Sequence, residues 1–307
     1  MSCDRQAEEL FFFMEGVKRL LVITGAGCST GSGISDYRDA KGSWKIAPPI
    51  EHQDFLRSEK ARKRYWFRSQ LGFPSFRNAK PNQAHVVLAG LEEKGLVEAV
   101  VTQNVDRLHQ KAGQQKVIDL HGRLDQVRCL DCGEISLRAK IQDWLELNND
   151  LTQIQSFELR PDGDASIDDP DLSSFQEPNC VKCGGTLQPD VVFFGGSVPQ
   201  VISQETRDLV DSSDGVLVIG TSLMAFSSFR LVRRAHQRGV PIASLNLGVT
   251  RADDLLDQKI IGDCVQVLGL LGRKFLYGRM RPDNLCTKSL IFSSLFRIFR
   301  LWYWIEF

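Results

Sequence analysis

Residues Gly25 to Arg38, read as GAGCSTGSGISDYR, hold the densest set of groups able to act on a phosphorylated ligand. The apolar run Leu20–Ile23 stops at Thr24 and enters the glycine-rich turn Gly25-Ala26-Gly27. A strand that ends in such a loop receives a pyrophosphate on backbone N–H groups and a helix N-terminus. Gly-x-Gly by itself is equally a tight turn. The string continues, however, through Ser29, Gly31 and Gly33 to Asp36-Tyr37-Arg38. A carboxylate and a guanidinium so soon after the glycines suit chemistry on a dinucleotide as well as its binding.

Two further clusters sit where apolar runs end. Val97–Val101 leads into Thr102-Gln103-Asn104-Val105-Asp106, whose amides and carboxylate can hold a carboxamide and a ribose. Asp119-Leu120-His121-Gly122 places an imidazole before a glycine, which leaves room for close approach of a ligand. Neutral imidazole is the natural general base near neutral pH, and Asn104 is the candidate to assist it. Of the five histidines (His52, His85, His109, His121, His236), only His121 has this setting. Gly220-Thr221-Ser222 and Asn246-Leu247-Gly248 end two more apolar runs and offer phosphate and ribose hydrogen bonds.

Four of the eight cysteines form the pairs Cys129-x-x-Cys132 and Cys180-x-x-Cys183. Paired CxxC without a secretory signal predicts a tetrahedral zinc site made of four thiolates. Four thiolates close the coordination shell, so the ion holds structure together and leaves no position for catalytic water. Residues 133–179 separate the pairs, so this segment leaves the module and returns. Cys3, Cys28, Cys264 and Cys286 show no ligand pattern and read as small buried or surface thiols.

These groups must be positioned by strands. The runs Leu20–Thr24, Val97–Thr102, Val191–Phe194, Val216–Ile219, Ile242–Asn246 and Val265–Leu268 are short, apolar and β-branched. Helical stretches at Lys60–Gln70, Arg207–Asp211 and Phe229–Arg238 lie between them. The alternation predicts an α/β chain with a parallel sheet and its ligand at the strands' C-terminal ends. It divides into an N-terminal extension (1–16), a Rossmann-type domain (17–121 and 187–272), an inserted zinc module (122–186) and an atypical tail (273–307). The acidic stretch Glu158–Asp171 inside the module reads as a solvated loop.

Composition bounds the partners. Lys plus Arg and Asp plus Glu are both 38, which argues against nucleic acid as a main partner. The acidic flanks of Leu10–Met14 do not suit a targeting peptide, and no apolar run is long enough to span a bilayer. The tail carries seven basic residues against two acidic ones and ends in the aromatic run Ser289–Phe307. That run reads either as an interfacial helix touching a membrane surface or as a packed C-terminal helix or sequence foreign to the fold.

Together, GAGCSTGSGISDYR, TQNVD, LHG, the two CxxC pairs, PDVVFFG, GTSL and LNLG resemble the sirtuins, NAD-dependent protein-lysine deacylases, over Val17 to Leu270. The long excursion between the cysteine pairs, with Leu-Asp-Cys-Gly and Pro-Asp-Gly-Asp, is similar to class II, the mitochondrial sirtuin four type. The resemblance implies a Rossmann-type domain, a zinc domain, and acyl-lysine proteins bound in the cleft between them. It places NAD on Gly25, Ala26, Gly27, Ser29, Asp36, Tyr37, Arg38, Gln103, Asn104, Val105, Asp106, Gly220, Thr221, Ser222, Asn246, Leu247, Gly248 and Cys264. It implies that Val191, Val192, Phe193, Phe194 and Gly195 pair with the substrate backbone as an added strand. In the family's chemistry the acyl oxygen attacks the nicotinamide ribose, nicotinamide leaves, and an alkylimidate forms. The matching histidine, His121, then promotes attack by the 2′-hydroxyl, giving O-acyl-ADP-ribose and free lysine. Protein mono-ADP-ribosyl transfer and a weakly active NAD-sensing module are the alternatives, and the implied compartment is the mitochondrial matrix, with cytosol or nucleus the alternatives because no clear presequence is visible. Tyr65 and Arg68, at i and i+3, are similar to the Tyr-x-x-Arg pair that reads acidic acyl groups in class III. Three departures stand out: Ser35 replaces a proline, Gly196 replaces an acidic residue, and the tail has no counterpart.

Overall fold

The computed structural model describes residues 2–45, 49–154, 156–167 and 170–276. Its strands are β1 (Leu20–Thr24), β2 (Val97–Thr102), β3 (Val117–Asp119), β4 (Gly122–Cys129), β5 (Ile135–Leu137), β6 (Glu158–Leu159), β7 (Ala165–Ser166), β8 (Leu187–Val191), β9 (Gly215–Ile219), β10 (Ile242–Asn246) and β11 (Gln258–Ile261). Its α-helices are α1 (Cys3–Glu15), α2 (His52–Arg57), α3 (Glu59–Asn78), α4 (Gln83–Glu93), α5 (Leu108–Lys111), α6 (Arg138–Asn148), α7 (Gln200–Ser212), α8 (Phe226–Gln237) and α9 (Cys264–Leu276). A six-stranded sheet runs in the order β11-β10-β9-β1-β2-β3, every pair parallel.

The apolar runs are continuous because both faces of this sheet are covered. Leu20 and Val22 of β1 join a core with α1, α4 and α9, whereas Leu21 and Ile23 face Val210 of α7 and Leu231 and Val232 of α8. From β1 the chain builds outward one way through β2 and β3, then the other way through β9, β10 and β11. Such a reversal opens a crevice at the strands' C-terminal ends, where the loops after β1, β2, β9 and β10 meet.

Residues 122–191 carry the second unit, with β4 between β5 and β8 in an antiparallel sheet. Its core gathers Val127, Leu187, Ile141 and Leu145 with Phe55, Trp66 and Phe67 of the helices that precede β2. It is therefore packed onto α2 and α3 as well as strung between the strands.

Four sequence expectations change. Val265–Leu268 is not a strand but the first turns of α9, where Gln266 N–H donates to Asp263 Oδ1 and Val267, Leu268 and Leu271 form a buried helical stripe. Val191–Phe194 is no strand of the main sheet either: β8 ends at Val191 in the small sheet, and Phe194 forms an isolated bridge with Glu51. Residues 1–16 are no mere extension, since Ala7, Leu10 and Met14 of α1 complete the first core. Most consequentially, residues 160–165 within Glu158–Asp171 are not a solvated loop. The β6–β7 hairpin seats Ala165 and Asp164 against α3, and the bare Gly72 backbone leaves room for Gly163. Asp168, Asp169 and the tail from residue 277 lie outside the described residues.

Candidate functional site

The loops after β1, β2, β9 and β10 enclose a cavity of about 420 Å³. Gly25, Ala26, Gly27, Ser29, Asp36, Tyr37, Arg38, Gln103, Asn104, Val105, Asp106, Gly220, Thr221, Ser222, Asn246, Leu247, Gly248 and Cys264 all line it. His121, Tyr65 and Val191–Phe194 do so too, whereas Gly195 and Arg68 do not.

Two glycines permit the cradle. A Cβ on Gly25 would stand 2.5 Å from Thr221 Cβ, and one on Gly27 would stand 2.8 Å from Gly220 O. Gly27 N–H donates to Gly220 O at 2.8 Å, and Cys264 Sγ lies 3.4 Å from Gly27 O, so the loops brace each other. The close loop backbones suit a pyrophosphate, and the ribose- and carboxamide-pairing groups stand beside them, so the residues present fit NAD.

The end of β2 supplies those groups in a fixed frame. The Gln103 side-chain N–H groups donate to Thr24 O and Thr221 Oγ1, while its Oε1 accepts from Ser228 Oγ at 2.8 Å. Asn104 Nδ2 donates to Gly25 O and to Ser29 Oγ, both at 3.0 Å. Ser29 Oγ donates in turn to Asp106 Oδ2 at 2.6 Å. Burial pushes the Asp106 carboxyl up, against the bonds from Ser29 and the Leu108 N–H.

His121 is placed by the turn between β3 and β4. Its Nδ1 lies 3.1 Å from Gln103 O, and a carbonyl only accepts, so the ring proton is on Nδ1. Nε2 therefore carries the lone pair, 2.7 Å from Ser227 Oγ. Burial lowers the ring to about 4, which keeps it neutral and ready as a base. The Gly122 that follows has φ +82°, and its Cβ would collide with Asp190 O. The position thus requires glycine twice over.

The lid over the cavity is aromatic. Arg38 Nη1 donates to Gly42 O at 2.8 Å, and its guanidinium lies 4.0 Å from the centre of the Trp44 ring. Tyr37, Trp44 and Phe194 meet edge to face. Ser35, in place of a stiffening proline, donates to Leu159 O at 3.3 Å and so ties the lid to the β6–β7 hairpin. The hairpin itself puts Pro161, Asp162 and Asp164 into the cavity wall, residues that the acidic composition of their segment concealed. Phe194 O accepts from His52 N–H and Val192 N–H donates to His121 O, both at 2.8 Å. A substrate strand added there competes with these internal bonds.

The four paired cysteines converge, with all sulfurs within 4.8 Å of one another. Cys129–Cys183 and Cys132–Cys180 are 3.6 and 3.8 Å apart. A zinc ion with four bonds of about 2.3 Å in a tetrahedron needs about 3.8 Å between sulfurs. The cluster fits zinc. Gly133 (φ 73°) and Gly184 (φ 74°) close the two chelating turns.

A second group, Cys28, His85 and His109, also lies within 4.8 Å but is not arranged as a ligand set. His85 Nδ1 accepts from Asn82 N–H in the cap of α4, so Nε2 bears the proton and offers no lone pair. Burial lowers His85 to about 4 and His109 well below its usual range. Both rings stay neutral in the fold, whereas the unfolded chain takes up protons below about pH 6.5. Each such ring then costs about 1.4 kcal/mol of stability per pH unit as pH falls from 6.5 towards 4. His85→Gln is therefore expected to reduce the stability lost between pH 7 and pH 5 by about 2 kcal/mol. Urea unfolding of both proteins at the two pH values checks this, and equal losses would contradict it.

A parallel doubly wound sheet, a dinucleotide cradle at its switch point, a neutral histidine in the cleft and an attached four-thiolate module define an NAD-using enzyme of the Rossmann class. The profile described as Sir2 family matches residues 25–227, and the chain belongs to that family. It is 50% identical over 256 residues to an NAD-dependent protein deacetylase of Bordetella bronchiseptica, covering 83% of this chain and 93% of that one. It is 43% identical over 269 residues to the bovine NAD-dependent protein lipoamidase sirtuin-4, mitochondrial, covering 87% and 85%. Among solved structures, a Sir2 complex with p53 peptide and NAD+ superposes with a TM-score of 0.69 at 30% identity, covering 88% of this chain and 98% of that one.

Sequence reasoning missed Ser227 and Ser228. Both follow the GTSL segment and open α8, and a polar pair at a helix start reads first as capping.

Proposed function

We propose that this protein is an NAD-dependent protein-lysine deacylase that releases nicotinamide, O-acyl-ADP-ribose and free lysine. The observation that carries the reading is the neutral His121, which lines the same cavity as the Gln103, Asn104 and Asp106 set, with its proton on Nδ1. When bound, NAD supplies the electrophilic ribose carbon and the hydroxyls that take over the acyl group. The chain does the rest. Gln103 and Asn104 hold fixed amides towards the nicotinamide end, and the Gly25–Ser29 loop receives the phosphates. His121 Nε2 takes a proton from a ribose hydroxyl, and the Tyr37–Trp44–Phe194 lid keeps water out. Mass spectrometry of acyl-peptides with and without NAD tests this. Free lysine with O-acyl-ADP-ribose supports it, whereas transfer of ADP-ribose onto a peptide that keeps its acyl group would overturn it.

The relatives named as deacetylases and a lipoamidase favour deacylation over ADP-ribosyl transfer. A mitochondrial setting draws support from the bovine relative's name, whereas the Bordetella relative is bacterial. No helix among the described residues is long and apolar enough to cross a membrane.

Acyl preference turns on Tyr65 and Arg68. Both line a second cavity of about 250 Å³ with Arg64, Arg160, Glu51, Asp54, Asp162 and Asp164, so carboxyls outnumber guanidiniums there. Arg68 Nε already donates to Ala165 O at 2.8 Å. We infer that Arg68 serves first as a tether for the hairpin, ahead of reading acidic acyl groups. Arg68→Met is expected to lower turnover about fivefold on acetyl and on dicarboxylic acyl-lysines alike, a cost of about 1 kcal/mol, that of about one ordinary hydrogen bond at the cavity wall. Steady-state rates on both substrates decide it: a loss confined to the acidic acyl group restores the acid-reading role.

A further inference from the structure

The first turn of α8 addresses both functional side chains of the cleft. Ser228 Oγ donates to the Gln103 amide at 2.8 Å, and its neighbour Ser227 lies 2.7 Å from His121 Nε2. The His121 ring is locked at its other nitrogen by Gln103 O, so Nε2 only accepts in the resting protein and Ser227 donates. A hydroxyl has one proton and two lone pairs, so it can turn from donor to acceptor without moving its oxygen. An ammonium at this place could serve only the neutral ring, and an amide would have to turn end over end to serve both.

We propose that Ser227 is a positioning residue for His121, holding the ring in register and exchanging donor for acceptor as Nε2 takes up and returns its proton. The inference rests on the reading of His121 as the base. During the proton transfer the ribose O–H bond breaks and an Nε2–H bond forms. The Ser227 hydroxyl first turns its own proton away, which frees the Nε2 lone pair for the ribose proton, and its oxygen then stands beside the new N–H; the reverse motion follows when the proton leaves. The imidazolium gains most from this partner, because a hydrogen bond from a charged donor is about twice as strong as a neutral one.

The test compares wild type with Ser227→Ala, Ser227→Thr and His121→Ala. In the NAD-free protein, nitrogen NMR of the His121 ring should show Nε2 of Ser227→Ala moved towards a lone pair without a hydrogen bond, with Ser227→Thr near wild type. With NAD and acyl-peptide, Ser227→Ala should lose about tenfold in kcat for deacylation with the KM for NAD within about twofold, and threonine should restore most of the loss. Nicotinamide exchange, which precedes the step served by the base, should fall much less than deacylation. A wild-type NMR signal and kcat in Ser227→Ala, beside an inactive His121→Ala, would overturn the role of Ser227 alone. Equal losses in the alanine and threonine variants would overturn it as well. Full deacylation by His121→Ala would instead remove the base on which the inference stands.

Discussion

Substituting His121 by alanine is expected to lower kcat for deacylation by about 10²- to 10⁴-fold, the range that a positioned general base contributes. The ring is half-buried and neutral, lines the cavity, and has its proton fixed on Nδ1 by Gln103 O and its Nε2 lone pair held by Ser227. Among the described residues no other histidine lines the cavity to replace it. His85 and His109 are the other histidines of this half of the sheet, and both are buried among core groups outside the cavity. Asp106 has its carboxylate committed to Ser29 and the Leu108 N–H. NAD affinity should change little, because the cradle is built from the Gly25–Ser29 and Gly220–Ser222 loops and not from the imidazole. Binding by calorimetry and turnover by mass spectrometry separate the two terms. A variant that keeps its turnover would remove His121 from the mechanism, and one that loses NAD binding equally would make it a scaffold residue.

How far the sequence carries depends on what each residue type says about its surroundings. β1, β2 and β10 are readable because runs such as Leu20–Thr24 have no polar alternative to a buried strand, and their boundaries match the structure. The groups at their ends are readable for the same reason, since a polar residue that ends a buried strand must meet a ligand or a partner. Val265–Leu268 misleads because a four-residue apolar run carries no period, and only Asp263 as a capping residue and Leu271 beyond it reveal a helix. The Glu158–Asp171 hairpin is illegible for a different reason. Charges in such a segment are normally solvated, yet Arg160 and Asp164 are buried because Gly72 and Arg68, more than eighty residues earlier, make room for the hairpin and hold it. Burial pushes the Asp164 carboxyl far up, with Asp162 adding to it, a state that composition cannot disclose. Ser227 lies beyond reach in the same sense: its role exists only because α8 begins beside the turn after β3.

Removing the zinc ion is expected to abolish both the fold of the 122–191 unit and catalysis. The module's small sheet has three strands, two of them anchored at the CxxC turns through Cys129 and the chain around Cys180, and its apolar core is modest. Structural zinc on such thiolates contributes about 10–16 kcal/mol of apparent binding free energy, comparable to the whole stability of a domain. Loss reaches the cleft by a short route. β4 starts at Gly122, the residue after His121, and pairs there with Val191 of β8, which lines the cavity. When the two strands separate, the ring loses its backbone support and the Val192 N–H to His121 O bond goes with it. Cys132→Ser, at an exposed ligand, should bind less than one zinc per chain, lose at least about 10 °C in melting temperature and fall below about 1% of wild-type turnover. Dialysis against a strong chelator should do the same to the wild type, reversed by one equivalent of zinc. Metal analysis, thermal melts and limited proteolysis between residues 122 and 191 follow the three effects. A metal-free protein with an unchanged melt would show that the thiolates hold nothing the fold requires. One that melts lower yet keeps full turnover would show that the cleft stands without the module, against the direct link from β4 to His121.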